Sequence, residues 1–323
     1  MKAQENLNIK ILIPVYNDWE SLLLLMSKIR QTLSPIYFNH CTFVIVDDCS
    51  TIEADIVDFE SFPTSIVRLR RNVSHQKAIA LGLSYIVEKL DFSMIIVMDS
   101  DGEDKPEDLV RMIEKSYENP NQIIFAKRSK RSESSVFKLF YFFYKLLFSV
   151  FTGKIIEFGN FSLIPAKIAK KVVYVSEIWN HFSGGIVLSK FPHVSIDTAR
   201  GTRLAGKSKM NFVSLILHGM SAISVHLETV AVRIFVGTLV ISFFASVIVS
   251  IAIYMKLNIV GGASPGWTTT LITSSVIIVL QAVLSSLFLL FTVLNYRTHK
   301  HFIPAKDYHD FIEKVEVSSL VSL

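Results

Sequence analysis

From Ile9 to Ala126, short apolar runs alternate with stretches whose apolar positions recur every three or four residues. Ile9–Val15, Thr42–Asp47, Ser65–Arg68, Met94–Met98 and Gln122–Ala126 read as strands buried on both faces. Trp19–Leu33, His75–Lys89 and Pro106–Tyr117 carry the helical period. In the second of these, Ala78, Leu81 and Tyr85, with Ile79 and Ile86 beside them, form one apolar face. Strands and helices in this alternation predict an α/β domain with a mostly parallel sheet. No internal repeat or low-complexity segment interrupts it.

The pattern then changes. Val136–Thr152 is rich in Phe and Leu, broken by Lys138 and Lys145, and too short to cross a bilayer. It predicts a helix lying in the membrane interface over about 136–151, its lysines at headgroup level. Ile234–Met255 and Trp267–Leu294 are uncharged runs, each long enough for a hydrocarbon core that needs about 20 apolar residues. Two membrane spans are predicted. Arg233 lies before the first span and Arg297, Lys300 and Lys306 follow the second, whereas the Lys256–Gly266 connector has one basic residue. The asymmetry predicts a multi-pass protein of the inner or plasma membrane, with both termini and the large domain cytoplasmic. No charged-then-apolar opening with a small-residue cleavage site is seen, so a cleavable signal peptide is not expected.

Composition follows from this layout. Half of the 323 residues are hydrophobic and mean hydropathy is +0.43, with the excess concentrated in the two spans. The net charge of +5 does not point to nucleic acid, because the basic residues are not interleaved with aromatics on a soluble stripe. Attraction to anionic lipid and phosphorylated substrates accounts for it. The two cysteines, Cys41 and Cys49, are expected to be reduced.

Chemistry concentrates at predicted strand ends. The run Met94–Met98 delivers Asp99 and Asp101 to a turn, and a helix begins at Pro106. Paired carboxylates there suit a hard divalent cation completing its shell with water and substrate phosphates. Four further segments sit in comparable places: Ile13-Pro-Val-Tyr-Asn-Asp18, Val46-Asp-Asp-Cys-Ser-Thr51, Arg71-Asn-Val-Ser-His-Gln-Lys77 and the cationic Arg200–Lys209 loop. Each alone has a bland reading as a turn, a cap or a solvated loop.

In this order and together, these segments resemble the family 2 glycosyltransferases of the GT-A fold, over roughly residues 9 to 230. The nearest subgroup resembles the membrane-anchored polyprenyl-phosphate glycosyltransferases, such as bactoprenol glucosyltransferases and dolichol-phosphate mannose synthases. The resemblance implies a GT-A nucleotide-sugar-binding domain at 1–229, a two-helix anchor at 230–296 and a cytoplasmic tail at 297–323. It implies an inverting transfer of one sugar from a nucleotide-sugar to a membrane lipid, with polyprenyl phosphate the favoured acceptor, in cell-surface glycan synthesis. Pro14, Tyr16, Asp18 and Asp48 match positions lining the nucleotide. Asp99 and Asp101 match the metal motif that grips the diphosphate with Mg²⁺ or Mn²⁺, and Glu103 falls beside it. Arg203, Lys207 and Lys209 match the closing basic loop, and Arg128, Arg131 and Arg200 would meet acceptor phosphate.

One motif departs from the pattern. Where the bactoprenol subgroup reads Asp-x-Gly-Asp-Phe-Arg-Leu, this chain has Glu157-Phe-Gly-Asn-Phe-Ser-Leu163. Glu157 keeps a carboxylate and is the candidate for positioning or deprotonating the acceptor, while Asn160 and Ser162 lose an acid and a base. His75 reads as a hydrogen bonder at a helix entry, and His181 as a satisfied loop or core histidine. Alternatives are transfer to a lipid-linked saccharide hydroxyl, which would need a real base, and a non-catalytic nucleotide-binding membrane scaffold. A processive synthase would carry Gln-x-x-Arg-Trp, and none of Trp19, Trp179 or Trp267 has that context. The sugar, the nucleotide base and any homo-oligomer are left open.

Overall fold

The computed structural model describes residues 7–128, 135–154, 158–206, 212–258, 266–298 and 302–320. Eight strands form one sheet: β1 (Ile9–Val15), β2 (Cys41–Asp47), β3 (Thr64–Leu69), β4 (Met94–Val97), β5 (Ile123–Arg128), β6 (Ser162–Pro165), β7 (His193–Thr198) and β8 (Ile312–Val317). The helices are α1 (Trp19–Thr32), α2 (Pro35–Phe38), α3 (His75–Lys89), α4 (Pro106–Glu118), α5 (Ser135–Thr152), α6 (Ala166–Val172), α7 (Phe182–Leu188), α8 (Phe212–Ser224), α9 (Leu227–Asn258), α10 (Trp267–Thr298) and α11 (Pro304–Asp307). Contacts divide the chain into two units, one of Met1–Tyr141, Ile156–Val225 and His301–Leu323, the other of Phe142–Ile155 and His226–Lys300.

In the first unit the strand order is β7-β5-β6-β4-β1-β2-β3-β8. The run β3-β2-β1-β4 is parallel, as the continuous apolar strands predict. All seven residues of β1 are buried, because both faces of the sheet are covered. Ile11, Ile13, Phe43 and Ile45 join one core with Leu22, Leu25 and Met26 of α1. Leu12, Val44 and Val46 join the other with Ala78, Ile79 and Leu83 of α3. Burying each such branched side chain contributes roughly 1.5–3 kcal/mol. Helix α3 approaches the sheet so closely that a Cβ at Gly82 would lie 2.4 Å from the Leu12 and Val46 side chains.

Two differences from expectation matter for the site. Antiparallel β6 inserts between β4 and β5, placing Asn160 and Ser162 beside the strand that carries Asp99. The segment 297–323, expected to be a tail after the anchor, instead belongs largely to the first unit and supplies β8, antiparallel to β3. An ionic lock accompanies the pairing. Arg68 of β3 donates to Glu316 Oε2 through Nε at 2.9 Å and Nη2 at 2.7 Å, and pairs with Asp47 at 3.1 Å.

The second unit is built from the latter part of α5 with α9 and α10. Helices α9 and α10 pack on one another. Each has 32 residues, about 48 Å of helix, against a hydrocarbon core of about 30 Å. Their apolar side chains stay outside: Phe243 is 65% exposed and Phe288 75%. A core helix of a soluble protein would bury them. The hydroxyls of Thr238, Ser242, Ser246 and Ser250 each donate to the carbonyl four residues back. Hydroxyls satisfied within their own helix need no water. Both helices are long and apolar enough to cross a membrane. Arg233 donates to the Val150 carbonyl at 2.8 Å, capping α5 where Gly153 turns the chain at φ 71°.

Candidate active site at the crevice between β1 and β4

In the order 3-2-1-4 the connections reverse direction between β1 and β4, and ligands of open α/β sheets bind beyond the strands' carboxyl ends at such a point. Asp18 follows β1, and Asp99 and Asp101 follow β4. The two sides meet: Ser100 Oγ donates to Asp18 Oδ2 at 3.4 Å. Asp18 stands at the N-cap of α1 yet makes no capping bond, because its carboxylate is engaged by Arg203 Nη2 at 2.5 Å. Arg203 Nη1 reaches Asp101 Oδ2 at 3.3 Å. One guanidinium from the basic loop thus bridges both sides of the crevice.

That loop is docked by its backbone as well. Gly201 N donates to the Glu103 carbonyl at 2.8 Å and Leu204 N to the Asp101 carbonyl at 3.0 Å. Arg200 pairs with Glu103, its Nε at 2.7 Å. Gly102, at φ 81°, has the left-handed backbone the turn requires, and a Cβ there would strike the Leu204 side chain. The acidic turn and the basic loop are therefore one assembly.

Negative charge remains in surplus. The Asp101 carboxyl is pushed up to about 6 by burial and then by the Asp99 and Glu103 carboxylates, with the Glu103 N–H and Arg203 opposing. A cation would relieve that repulsion. Asp99 lies 3.0 Å from His75 Nε2. Partial desolvation lowers the His75 pKa, but Asp99, Asp104 and Asp48 outweigh it and raise the imidazole above its usual value. Among the described residues no group of three or more His, Cys, Asp and Glu side chains forms a metal cage. Two carboxylates with water and substrate phosphate completing the shell fit a hard divalent ion better than an all-protein cage does.

The β1–β2 side is a network of loop bonds. Asn17, at φ 53°, donates its N–H to Ser50 Oγ at 2.9 Å and accepts from Ile52 N at 2.9 Å. Ser50 N donates to Asp47 Oδ1 at 2.9 Å, so the Asp47–Arg68–Glu316 lock braces the same loop. Asp48, 3% exposed, turns inward: it accepts from Val73 N at 2.6 Å and Ser74 N at 2.9 Å. Burial pushes its carboxyl up to about 6 against those two bonds and the nearby His75. Tyr16 is 40% exposed beside this loop, and Pro14 pairs with Val46 inside the sheet.

A second network was not anticipated from the sequence. Phe182 N donates to Gln76 Oε1 at 2.7 Å, which orients Gln76 Nε2 toward Asn160 Oδ1 at 3.1 Å. Asn160 Nδ2 is then left facing His75 Nε2 at 3.1 Å. His181 caps α7, its Nδ1 accepting from Gly184 N at 3.0 Å, as a satisfied histidine should. Arg128 is the last residue of β5. Glu157, Arg131, Lys207 and Lys209 lie outside the described residues.

Residues 10–173 match the family model described as glycosyl transferase family 2. The chain belongs to that family. YkcC of Bacillus subtilis (strain 168), an uncharacterized glycosyltransferase, is 27% identical over 221 residues, 66% of this chain and 67% of that protein. The undecaprenyl-phosphate 4-deoxy-4-formamido-L-arabinose transferase of Photorhabdus laumondii subsp. laumondii is 23% identical over 224 residues, 67% of each chain. Among solved structures, glucosyl-3-phosphoglycerate synthase from Mycobacterium tuberculosis, in complex with Mn²⁺, UDP-glucose and phosphoglyceric acid, aligns with a TM-score of 0.51 at 12% identity. That alignment covers 71% of this chain and 82% of that one, and it shows a shared GT-A-like fold. This family 2 chain is a glycosyltransferase with two apolar helices that could span a membrane.

Proposed function

We propose that this glycosyltransferase moves one sugar from a nucleotide-sugar onto a polyprenyl phosphate, inverting the anomeric carbon, at the cytoplasmic face of the inner or plasma membrane. The observation that carries the reading is the pairing, in one chain, of a family 2 crevice lined by carboxylates and guanidiniums with two helices fit to hold it at a bilayer. Names among its relatives support a lipid-phosphate acceptor. Confining enzyme and lipid to one interface raises their effective concentration. Exposed Phe142, Leu146, Leu147 and Val150 on α5 suit a helix embedded at headgroup depth.

In this reading Pro14, Tyr16 and Asp18 line the nucleotide, and Asp48 holds the Val73–Ser74 turn that faces it. Asp99 and Asp101, with Glu103 beside them, hold Mg²⁺ or Mn²⁺. When bound, the ion supplies Lewis-acid stabilisation of the negative charge developing on the leaving diphosphate. Arg203, Lys207 and Lys209 add charge-assisted hydrogen bonds to the same oxygens. Arg128, Arg131 and Arg200 receive the acceptor phosphate. Glu157 positions or deprotonates the acceptor. A phosphomonoester has a second pKa of about 6, so the nucleophile is largely ionised at neutral pH and positioning matters more than base strength. Attack opposite the leaving group inverts the centre. Because β1 and β8 share one sheet, an even number of spans is required, and the basic flanks favour the cytoplasm.

The test is a panel of labelled nucleotide-sugars incubated with membranes containing the chain and a polyprenyl phosphate. One sugar should enter the organic phase as a single product, in a reaction stopped by excess chelator. Asp101→Asn should lower turnover by at least about a hundredfold with the fold retained. A water-soluble or polymeric product refutes the lipid-phosphate acceptor, and full turnover in chelator refutes the metal site.

A further inference from the structure

The position of Arg203 raises a question about order of binding. Both oxygens of Asp101 are already used: Oδ1 accepts from the Glu103 N–H at 2.9 Å and Oδ2 faces Arg203 at 3.3 Å. The same guanidinium takes Asp18 Oδ2 at 2.5 Å on the opposite side of the crevice. It thus lies at the junction of the two strand ends, the place a ligand's charge would occupy in this topology. Its backbone does not depend on those ion pairs. Gly201 N and Leu204 N tie the loop to the acidic turn, and a Cβ at Gly201 would lie 2.6 Å from the Gly102 carbonyl oxygen. The side chain can therefore leave the carboxylates while the loop stays docked.

We propose that Arg203 is an internal stand-in for the divalent cation, neutralising Asp18 and Asp101 in the ligand-free chain until the cation arrives with a nucleoside diphosphate. The guanidinium is then displaced from the carboxylates onto the diphosphate, where it makes bidentate charge-assisted bonds. This rests on the reading of Asp99 and Asp101 as cation ligands. Two consequences follow from the charges alone. A cation without diphosphate must compete with Arg203 and offers it no new partner, so the cation alone binds weakly. A cation with diphosphate gives the arginine a destination, so the two ligands bind with positive coupling, and each raises the affinity of the other equally.

The experiment is a Mn²⁺ titration of the purified full chain by electron paramagnetic resonance, without nucleotide and with UDP or GDP. Wild type should bind Mn²⁺ alone weakly and gain strongly with the matching nucleoside diphosphate. R203Q should bind Mn²⁺ alone at least tenfold tighter than wild type and lose most of the coupling, whereas R203K, which keeps the charge but loses the fork that spans Asp18 and Asp101, should fall between the two on both counts. Thermal melting reports whether each variant is folded. As an independent measurement, millimolar guanidinium, far below denaturing levels, should weaken Mn²⁺ binding to R203A and leave wild type unchanged. Equal affinity of wild type and R203Q for Mn²⁺ alone, with coupling intact, overturns the stand-in role while leaving the cation site standing. No Mn²⁺ binding to any variant with either nucleotide overturns both.

Discussion

Ser74 precedes α3 with φ 78° and ψ 157°, a conformation essentially reserved for glycine because a Cβ there crowds its own backbone. Holding a non-glycine residue in such a region costs of order 1–3 kcal/mol. The turn persists because Asp48 accepts from the Val73 and Ser74 N–H groups. The Ser74 hydroxyl makes no capping bond, so its removal loses nothing at the helix start. Ser74→Gly relieves the strain and keeps the N–H bond to Asp48. Against this, glycine widens the unfolded ensemble by about 0.4–1 kcal/mol. The strain is the larger quantity, and a net gain of about 1 kcal/mol is expected, raising the melting temperature by about 2–4 °C for a domain of this size. Ser74→Ala retains the Cβ and should bring no gain. The assay is thermal unfolding of the full chain in detergent, comparing the three proteins side by side. If Ser74→Gly melts at or below wild type, the turn is not strained as described and the reasoning fails.

Three further outcomes are expected. Asp48, at about 6 when folded against 3.8 for the ordinary side chain, binds more protons folded than unfolded, so its contribution is fully present below pH 3.8 and is lost as pH rises through 6. Wild type should lose about 2 kcal/mol relative to Asp48→Asn between pH 4 and 7, and a stability difference that is flat with pH refutes this. Arg68→Met leaves buried Asp47 without its cation, while Glu316 keeps Lys314 at 2.7 Å, and should destabilise the first unit by about 3 kcal/mol, the low end for a broken buried pair. The nucleotide KM should rise with it through the Ser50 loop, so an unchanged melting curve and KM would show that the lock is idle. Ser264→Cys should react with a membrane-impermeant thiol reagent in intact cells, and labelling that appears only after permeabilisation would reverse the topology.

How much was legible depended on how local the determinants are. The bounds of β1 and α3 follow from apolar periodicity alone, since Ile9–Val15 and His75–Lys89 each carry their period within the segment. The carboxylates after β4 could be placed because Met94–Val97 is a continuous apolar strand. Strand β6 is four residues beginning with Ser162 and ending in Pro165, too short for a period to show. Strand β8 alternates Val315, Glu316 and Val317, a weak signal overshadowed by the apolar helices before it. The inward turn of Asp48 and the reach of Arg203 to Asp18, 185 residues away, are products of tertiary packing that no spacing reveals. Asn17 and Gln76 were missed because amides carry no charge pattern. Their hydrogen bonds, to the Ile52 and Phe182 N–H groups and to neighbouring side chains, mark them in the folded chain.

The eighth strand also sets an order of events during synthesis. Arg68 and Glu316 stand 248 residues apart in sequence, a gap that translation at about 5–20 residues per second takes roughly 12–50 s to cross. Throughout that time β3 is an open sheet edge, a template for unwanted pairing. Its cover arrives only after α9 and α10 have been made and the chain has turned back toward the domain that left the ribosome first. The brace on the Asp47–Ser50 loop is therefore the last piece fitted. On the two-span reading proposed above, a molecule whose second apolar helix fails to return to the starting side is left with an unpaired β3 edge, visible to chaperones and proteases, and insertion of both helices becomes a condition for a finished first unit.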